Sequence, residues 1–159
     1  MTTSSNHSNP TLPKSFWIAG FEGASHINSS GRRLDMVHAT QHGRLIDEDY
    51  AMLREVGIQV VRESLRWHLI ERYGQFDFSS LQPMLDAANR HGVQVIWTLC
   101  HYGWPDDVDL FSPKFVPRVI RFVGEVAQYI AERSIAEPLY SPVNEISFIC
   151  WAICHSDLM

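Results

Sequence analysis

The spacing of apolar positions along the chain repeats one unit three times and begins it a fourth. A short apolar run ends in polar residues, a loop follows, and an amphipathic helix leads to the next run. The first run covers residues 15–22 and its loop, 23–45, is rich in His, Ser, Gly and Arg. Asp47, Glu48 and Asp49 then predict a helix start, where negative charge suits the N-terminal dipole. That helix carries Tyr50, Leu53 and Val56 and should stop at Gly57. The second run, 58–62, is β-branched and feeds a loop to Phe78. Ser79 with Gln82 predicts a capping box for a helix whose apolar residues are Leu81, Met84, Leu85 and Ala88, closed by Gly92. The third run, 93–100, is apolar at both parities, the pattern of a strand covered on both faces. Ser112-Pro113 predicts an N-cap with proline at the first helical position. The stripe Val116, Val119, Ile120, Val123, Val126, Ala127 and Ile130 reads as core packing. The fourth run, 139–143, follows Pro138, and residues 151–159 predict no helix of useful length.

Strands beginning near residues 15, 58, 93 and 138 are about 35–45 residues apart, as for parallel strands joined by crossover helices. A doubly wound open sheet and a (β/α)8 barrel both accept this alternation. No glycine-rich phosphate loop follows the first run, which argues against a dinucleotide-binding sheet. The polar residues gather after the runs, which is the barrel rule: strand C-terminal ends carry the chemistry. A whole barrel takes about 250 residues. The expected fold is therefore α/β, the first four βα units of a TIM barrel over residues 15–159, behind a disordered polar tail at 1–14. The chain reads as a truncated half barrel.

Composition narrows the partners. Net charge is −5 with no Lys/Arg cluster, which excludes a nucleic-acid groove. The longest apolar runs, 93–100 and 146–154, fall short of the ~20 residues that span a bilayer, so no membrane partner is expected. Three cysteines and no signal-peptide stretch point to a reducing, cytoplasmic setting. Cys100-His101 and Cys154-His155 are adjacent pairs without metal-ligand spacing, so no metal is expected.

Three strand ends carry the candidate chemistry. The second ends in Arg62-Glu63-Ser64 and continues to Arg66-Trp67-His68. The third ends in Cys100-His101-Tyr102-Gly103-Trp104-Pro105, and the fourth in Pro142-Val143-Asn144-Glu145. In a barrel these ends converge on one pocket. Read alone, Glu145 could be a carboxylate at a helix start, Arg62 an ion-pair partner of Glu63 or Glu71, and His101 an ordinary strand-end histidine. Trp67 and Trp104 could simply cover a barrel mouth.

Taken together, the three segments resemble clan A glycoside hydrolases, most closely family 1, the β-glucosidase, 6-phospho-β-glucosidase and β-galactosidase group. The Asn144-Glu145 pair resembles the acid/base motif ending that family's fourth strand. Residues 98–105 resemble its third-strand segment, and 60–67 its second. The resemblance implies retaining hydrolysis of β-O-glycosidic bonds by two carboxyl groups, without a cofactor and with a β-glycoside as substrate. Glu145 would be the acid/base, a role that asks for a raised pKa. Asn144 would bind the sugar 2-hydroxyl and Arg62 would hold the nucleophile ionised. His101 would donate to a hydroxyl, and Trp104 would pack on a sugar face. Two positions depart from the pattern. Ile146 stands where family 1 usually has Pro, and Gly20 where its glutamine reads sugar hydroxyls, leaving Glu22 as the substitute contact. The family's nucleophile belongs to the seventh strand, so this chain alone is expected to be inactive and to self-associate through open half-barrel edges. A non-catalytic carbohydrate-binding or scaffold half barrel is the rival reading, and an isomerase or lyase using Glu145 as a base is a third.

Overall fold

The structure is a computed structural model that describes residues 12–156. Most of the expected tail, residues 1–11, lies outside the described residues. Four strands form one parallel sheet: β1 (Ile18–Gly20), β2 (Val60–Ser64), β5 (Gln94–Cys100) and β6 (Leu139–Val143). Their order in the sheet, β1-β2-β5-β6, is their order in the chain. A doubly wound sheet reverses direction at a switch point. Here nothing reverses, so the sheet winds one way, as a barrel wall does.

Helices α2 (His42–Glu55), α4 (Gln82–His91) and α5 (Phe115–Arg133) make the crossovers. Alternation along the strands sets the two faces. Val61, Val95, Trp97 and Leu99 point to the helices and meet Ile46, Tyr50, Leu85, Phe122, Val126 and Ile130 in the core. Arg62, Ser64 and Thr98 belong to the other parity, the barrel interior, where Arg62 Nε donates to Thr98 Oγ1 (2.8 Å). The inner strands β2 and β5 are buried along most of their length, while β1 and β6 are half open.

Several local expectations are corrected. Helix α2 begins at His42, behind Gln41 in a left-handed conformation (φ 61°), so Asp47, Glu48 and Asp49 lie inside it. Two of these carboxylates make ion pairs rather than caps: Asp49 accepts from the His42 ring (2.6 Å), and Asp47 bridges to Arg90 and His91 on α4. Gly57 does close the helix, with a φ of 79° that favours glycine. The capping box at Ser79 and Gln82 does not form. Helix α4 has no side-chain cap, and Gln82 instead donates to Asp86 (2.6 Å) and accepts from Tyr129. Helix α5 starts at Phe115, two residues beyond Pro113, and Ser112 Oγ accepts the Lys114 N–H (3.2 Å). Its buried face is Phe122, Val126 and Ile130, whereas Val116 and Ile120 face outward. Val119 and Val123 also pack on the core, so most of the predicted stripe is core packing, with Phe122 added and Val116 and Ile120 outside it.

The loops hold more structure than their polar composition suggested. The loop after β1 contains a short α1 (Met36–Ala39), whose N-cap is Asp35. The segment after β2 holds α3 (Trp67–Ile70) and a two-stranded hairpin, β3 (Glu71–Arg72) with β4 (Gln75–Phe76). Trp67 does not line a barrel mouth. It is buried, stacked on Phe122 with centroids 4.7 Å apart, and its Nε1 donates to Glu71 (2.7 Å). The expectation of no useful closing helix is also overturned: Ile146–His155 forms a ten-residue helix, α6, rich in apolar residues and directly following Glu145.

Candidate active site

The C-terminal ends of the four strands border one open cleft of about 1050 Å³. Glu22, Arg62, Ser64, His101, Asn144 and Glu145 all line it. The loop after β1 reaches this mouth because two glycines let backbones touch. A Cβ on Gly23 would come within 2.3 Å of Ser64 Cβ, and one on Gly103 within 2.0 Å of Ser25 Oγ. Ser25 N–H donates to the His101 carbonyl (3.2 Å), tying that loop to the end of β5.

Two hydrogen-bonded groups occupy the cleft. The first runs from Arg62 to Glu145. Arg62 Nη2 donates to Asn144 Oδ1 (2.5 Å), and Asn144 Nδ2 donates to the Tyr102 hydroxyl (2.7 Å). Tyr102 in turn donates to Glu145 Oε2 (2.7 Å). Burial and the Glu145 carboxylate push the Tyr102 phenol up to about 12, so it stays protonated and able to donate at any ordinary pH. Arg62 pairs with neither Glu63 nor Glu71, since those carboxylates bond His42 and Tyr50, and Trp67 and Arg118, respectively. Glu145 does sit at the N-cap of α6, but its side chain makes no cap bond.

The second group centres on His101. Its Nδ1 lies 2.8 Å from Ser64 Oγ, and its Nε2 faces Glu22 Oε1 at 3.4 Å. Burial lowers the His101 pKa and wins over the opposing charge of Glu22. A neutral ring facing a carboxylate through Nε2 fits the tautomer with Nε2–H, in which Ser64 donates to Nδ1. That tautomer presents an N–H donor to the cleft. Glu22 Oε1 also accepts the Ala24 N–H (2.8 Å), which fixes the carboxylate while leaving its side chain half exposed.

Trp104 is set apart from these groups. It borders a smaller cavity of about 160 Å³ beside Tyr102, and its carbonyl accepts from Arg33 Nη2 (2.9 Å). Sequence reasoning left four contributors unassigned. Ser64 and Thr98 share the strand parity of Arg62 and could have been found by counting in twos. Phe148 comes from α6, which was not expected. Tyr102 follows the strand, where a φ of 63° breaks the alternation. Among the described residues, no group of three or more His, Cys, Asp or Glu side chains is placed to hold a metal ion.

Comparison with known proteins bears on the fold. The sequence profile of glycoside hydrolase family 42, β-galactosidase, matches residues 38–105. No curated protein matches the whole sequence closely enough to serve as a relative. A rice β-glucosidase in covalent complex with glucose has a similar structure, with a TM-score of 0.69 and 14% identity over 89% of this chain. The family 1 β-glucosidase of Thermotoga maritima has a TM-score of 0.68 and 16% identity over 89% of this chain. An aphid myrosinase has a TM-score of 0.65 and 15% identity over the same share. The chain spans 35–38% of the length of these three structures. Its fold is that of part of a (β/α)8 barrel, and the chain resembles the clan A glycosidases.

Proposed function

We propose that this chain is the acid/base-bearing portion of a retaining β-glycosidase, family 1-like in its motifs, acting on a β-linked glucoside or galactoside. The observation that carries the reading is a single cleft collecting Arg62, His101, Asn144 and Glu145 from the ends of three consecutive strands. Glu145 is read as the general acid that protonates the leaving oxygen and later as the base that activates water. Asn144 meets the sugar 2-hydroxyl, held by Arg62 on one side and Tyr102 on the other. His101 offers its Nε2–H to a second hydroxyl, and Glu22 accepts from one. Arg62 stands ready to steady a nucleophilic carboxylate arriving from elsewhere in the barrel. Trp104, which borders the neighbouring cavity with Tyr102, is read as a ring that packs on a sugar face.

In a whole-barrel relative, replacing the residue equivalent to Glu145 by Gln should lower kcat by about 10²–10⁴-fold on glycosides with poor leaving groups. It should lower it far less on dinitrophenyl glycosides, whose leaving groups need no proton. Equal loss on both kinds, or none on either, overturns the assignment. The four units alone should not turn over glycosides, because the covalent route needs a second carboxylate across the sugar.

A carbohydrate-binding or scaffold role is the second reading, favoured by the open flanks of the sheet. Among the described residues, strands β1 and β6 each have one unpaired side in the sheet, and Phe16 and Trp17 are 89% and 72% exposed beside β1. Such edges pair with another half barrel, so self-association belongs to both readings. Weak glycoside binding by calorimetry without turnover favours this second role. A cooperative monomer in sedimentation removes the self-association. No helix of the described residues is long and apolar enough to cross a membrane. The three free cysteines support a cytoplasmic setting.

A further inference from the structure

We propose that Tyr102 is the positioning residue of the Glu145 carboxyl group, the last donor in a one-way relay that begins at Arg62; this rests on reading Glu145 as the acid/base. Every hydrogen bond in the relay points the same way, from Arg62 to Asn144 to Tyr102 to Glu145. Each member is satisfied by the one before it, so the phenol has a single direction left for its proton. A cation at one end and a carboxylate at the other polarise the whole chain in the same sense.

The backbone supports the same conclusion independently. Tyr102 and Glu145 both adopt left-handed conformations, with φ of 63° and 42°. Neither is glycine, Asn or Asp, and such positions persist only where the surrounding structure over-determines them. Two strained residues in contact mark a spot where the surrounding fold overrides local preference. For Tyr102, the turn aims the ring across the cleft while Phe148, 5.3 Å away by centroid, holds its face. For Glu145, it swings the side chain off the α6 axis, where a cap would take it, and onto Tyr102. The residue is otherwise exposed, so Tyr102 is the side-chain partner that holds one carboxylate oxygen, Oε2, at the border of the cleft.

The test needs only the folded chain and carbon-13 at tyrosine Cζ. The Tyr102 signal is identified by its loss in Tyr102→Phe. On acidification it should move as its acceptor takes up a proton, and in Glu145→Gln most of that movement should disappear. Glu22 and His101 also act on this phenol, through charge and ring contact respectively, and the Gln variant separates their influence from that of Glu145. Side-chain relaxation then reads the positioning itself: Tyr102→Phe should lower the order of the Glu145 side chain. Overturning results are a Tyr102 signal that moves alike in the wild type and Glu145→Gln, or unchanged Glu145 order in Tyr102→Phe. A failure of the acid/base reading would show elsewhere, as undiminished turnover in the equivalent Gln variant of a whole-barrel relative, with this pairing intact.

Discussion

Arg62 and Glu63 are neighbours on β2, yet they serve opposite sides of the sheet. Glu63 points to the helices and ends in a dry network: His42 Nε2 (2.9 Å) and the Tyr50 hydroxyl (2.9 Å) both meet its Oε1, and His42 Nδ1 meets Asp49 (2.6 Å). Phe21 stacks on the His42 ring at 3.8 Å. Arg62 points to the barrel interior and ends in the open relay to Glu145. Both networks join a cation, an acid and a tyrosine. They differ in water. The outer one is sealed, with His42 and Glu63 at 2% and 1% exposure, and it binds α2 to the sheet. The inner one borders a cleft and leaves its carboxylate in solvent. One-residue alternation thus separates holding the fold from doing chemistry.

The largest expected effect breaks the outer network. His42→Ala leaves Glu63 buried without its charge partner, and breaking a buried pair costs about 3–5 kcal/mol. Urea unfolding measures it, and a loss below about 1 kcal/mol would mean that the network does not hold the fold. The cleft should feel this only through stability.

The same network gives a pH dependence of known sign. Burial pulls the His42 pKa down, but the hydrogen bonds and charges of Glu63 and Asp49 outweigh it and leave it raised. Burial likewise raises Glu63. A group whose folded pKa is raised contributes stability below its unfolded pKa, about 6.5 for histidine, and loses it as pH rises through the folded value. The urea midpoint should therefore fall as pH rises from neutrality upward, and His42→Ala should flatten that fall. A midpoint rising over that range contradicts it. Asp35 acts at the other end. Burial would raise it, yet hydrogen bonds from His68 and the His38 N–H, with the Arg66 charge, bring it to about 2. Its contribution is present above about 3.9 and is lost as pH falls toward 2.

A smaller effect belongs to the inner side. Arg62→Ala removes the donor to Asn144 and Thr98, and hydrogen bonds to charged groups contribute about 1.5–3 kcal/mol. Because water can enter the cleft and replace the guanidinium, the loss should lie near or below the lower figure. Glycoside binding should suffer more than stability does. Equal losses in Arg62→Ala and His42→Ala would erase the contrast between the two faces.

The sequence made the inner face more legible than the outer. Arg62, His101, Asn144 and Glu145 sit at the C-terminal ends of apolar runs, the end at which a barrel gathers its chemistry. The four strands were legible for the same reason, although β1 keeps only three residues of its eight-residue run. Glu63 was seen only as a rival partner for Arg62. Its real partner, His42, lies in a stretch whose polar composition read as loop, because nothing local marks a histidine that is about to be buried. Capping fared worst: Ser79 and the Asp47–Asp49 cluster had the right chemistry for helix starts. Asp47 instead bridges to α4, Asp49 bonds His42 on its own helix, and Gln82 bonds Asp86 and, from α5, Tyr129. Local preference is worth about 1 kcal/mol at such positions, and tertiary contact outbids it.

The subtlest expectation concerns strain. Glu145 holds a left-handed backbone at φ 42° and a largely solvated side chain. For an L-residue with a Cβ, that conformation costs about 1–2 kcal/mol. Glycine relieves it but adds about 0.5–1 kcal/mol of unfolded-chain entropy. Glycine is also acceptable at an N-cap. Glu145→Gly should therefore leave the chain as stable as before or more so, by up to about 1 kcal/mol, while removing the carboxyl from the cleft. On the outer face, Glu63→Gly should do the reverse, since Glu63 is a buried strand residue with two donors. Paired thermal melts of the two variants test the contrast directly. A clear stability loss in Glu145→Gly would mean that its bond to Tyr102 holds the fold as well as the carboxylate, and the division of labour across β2 would fail.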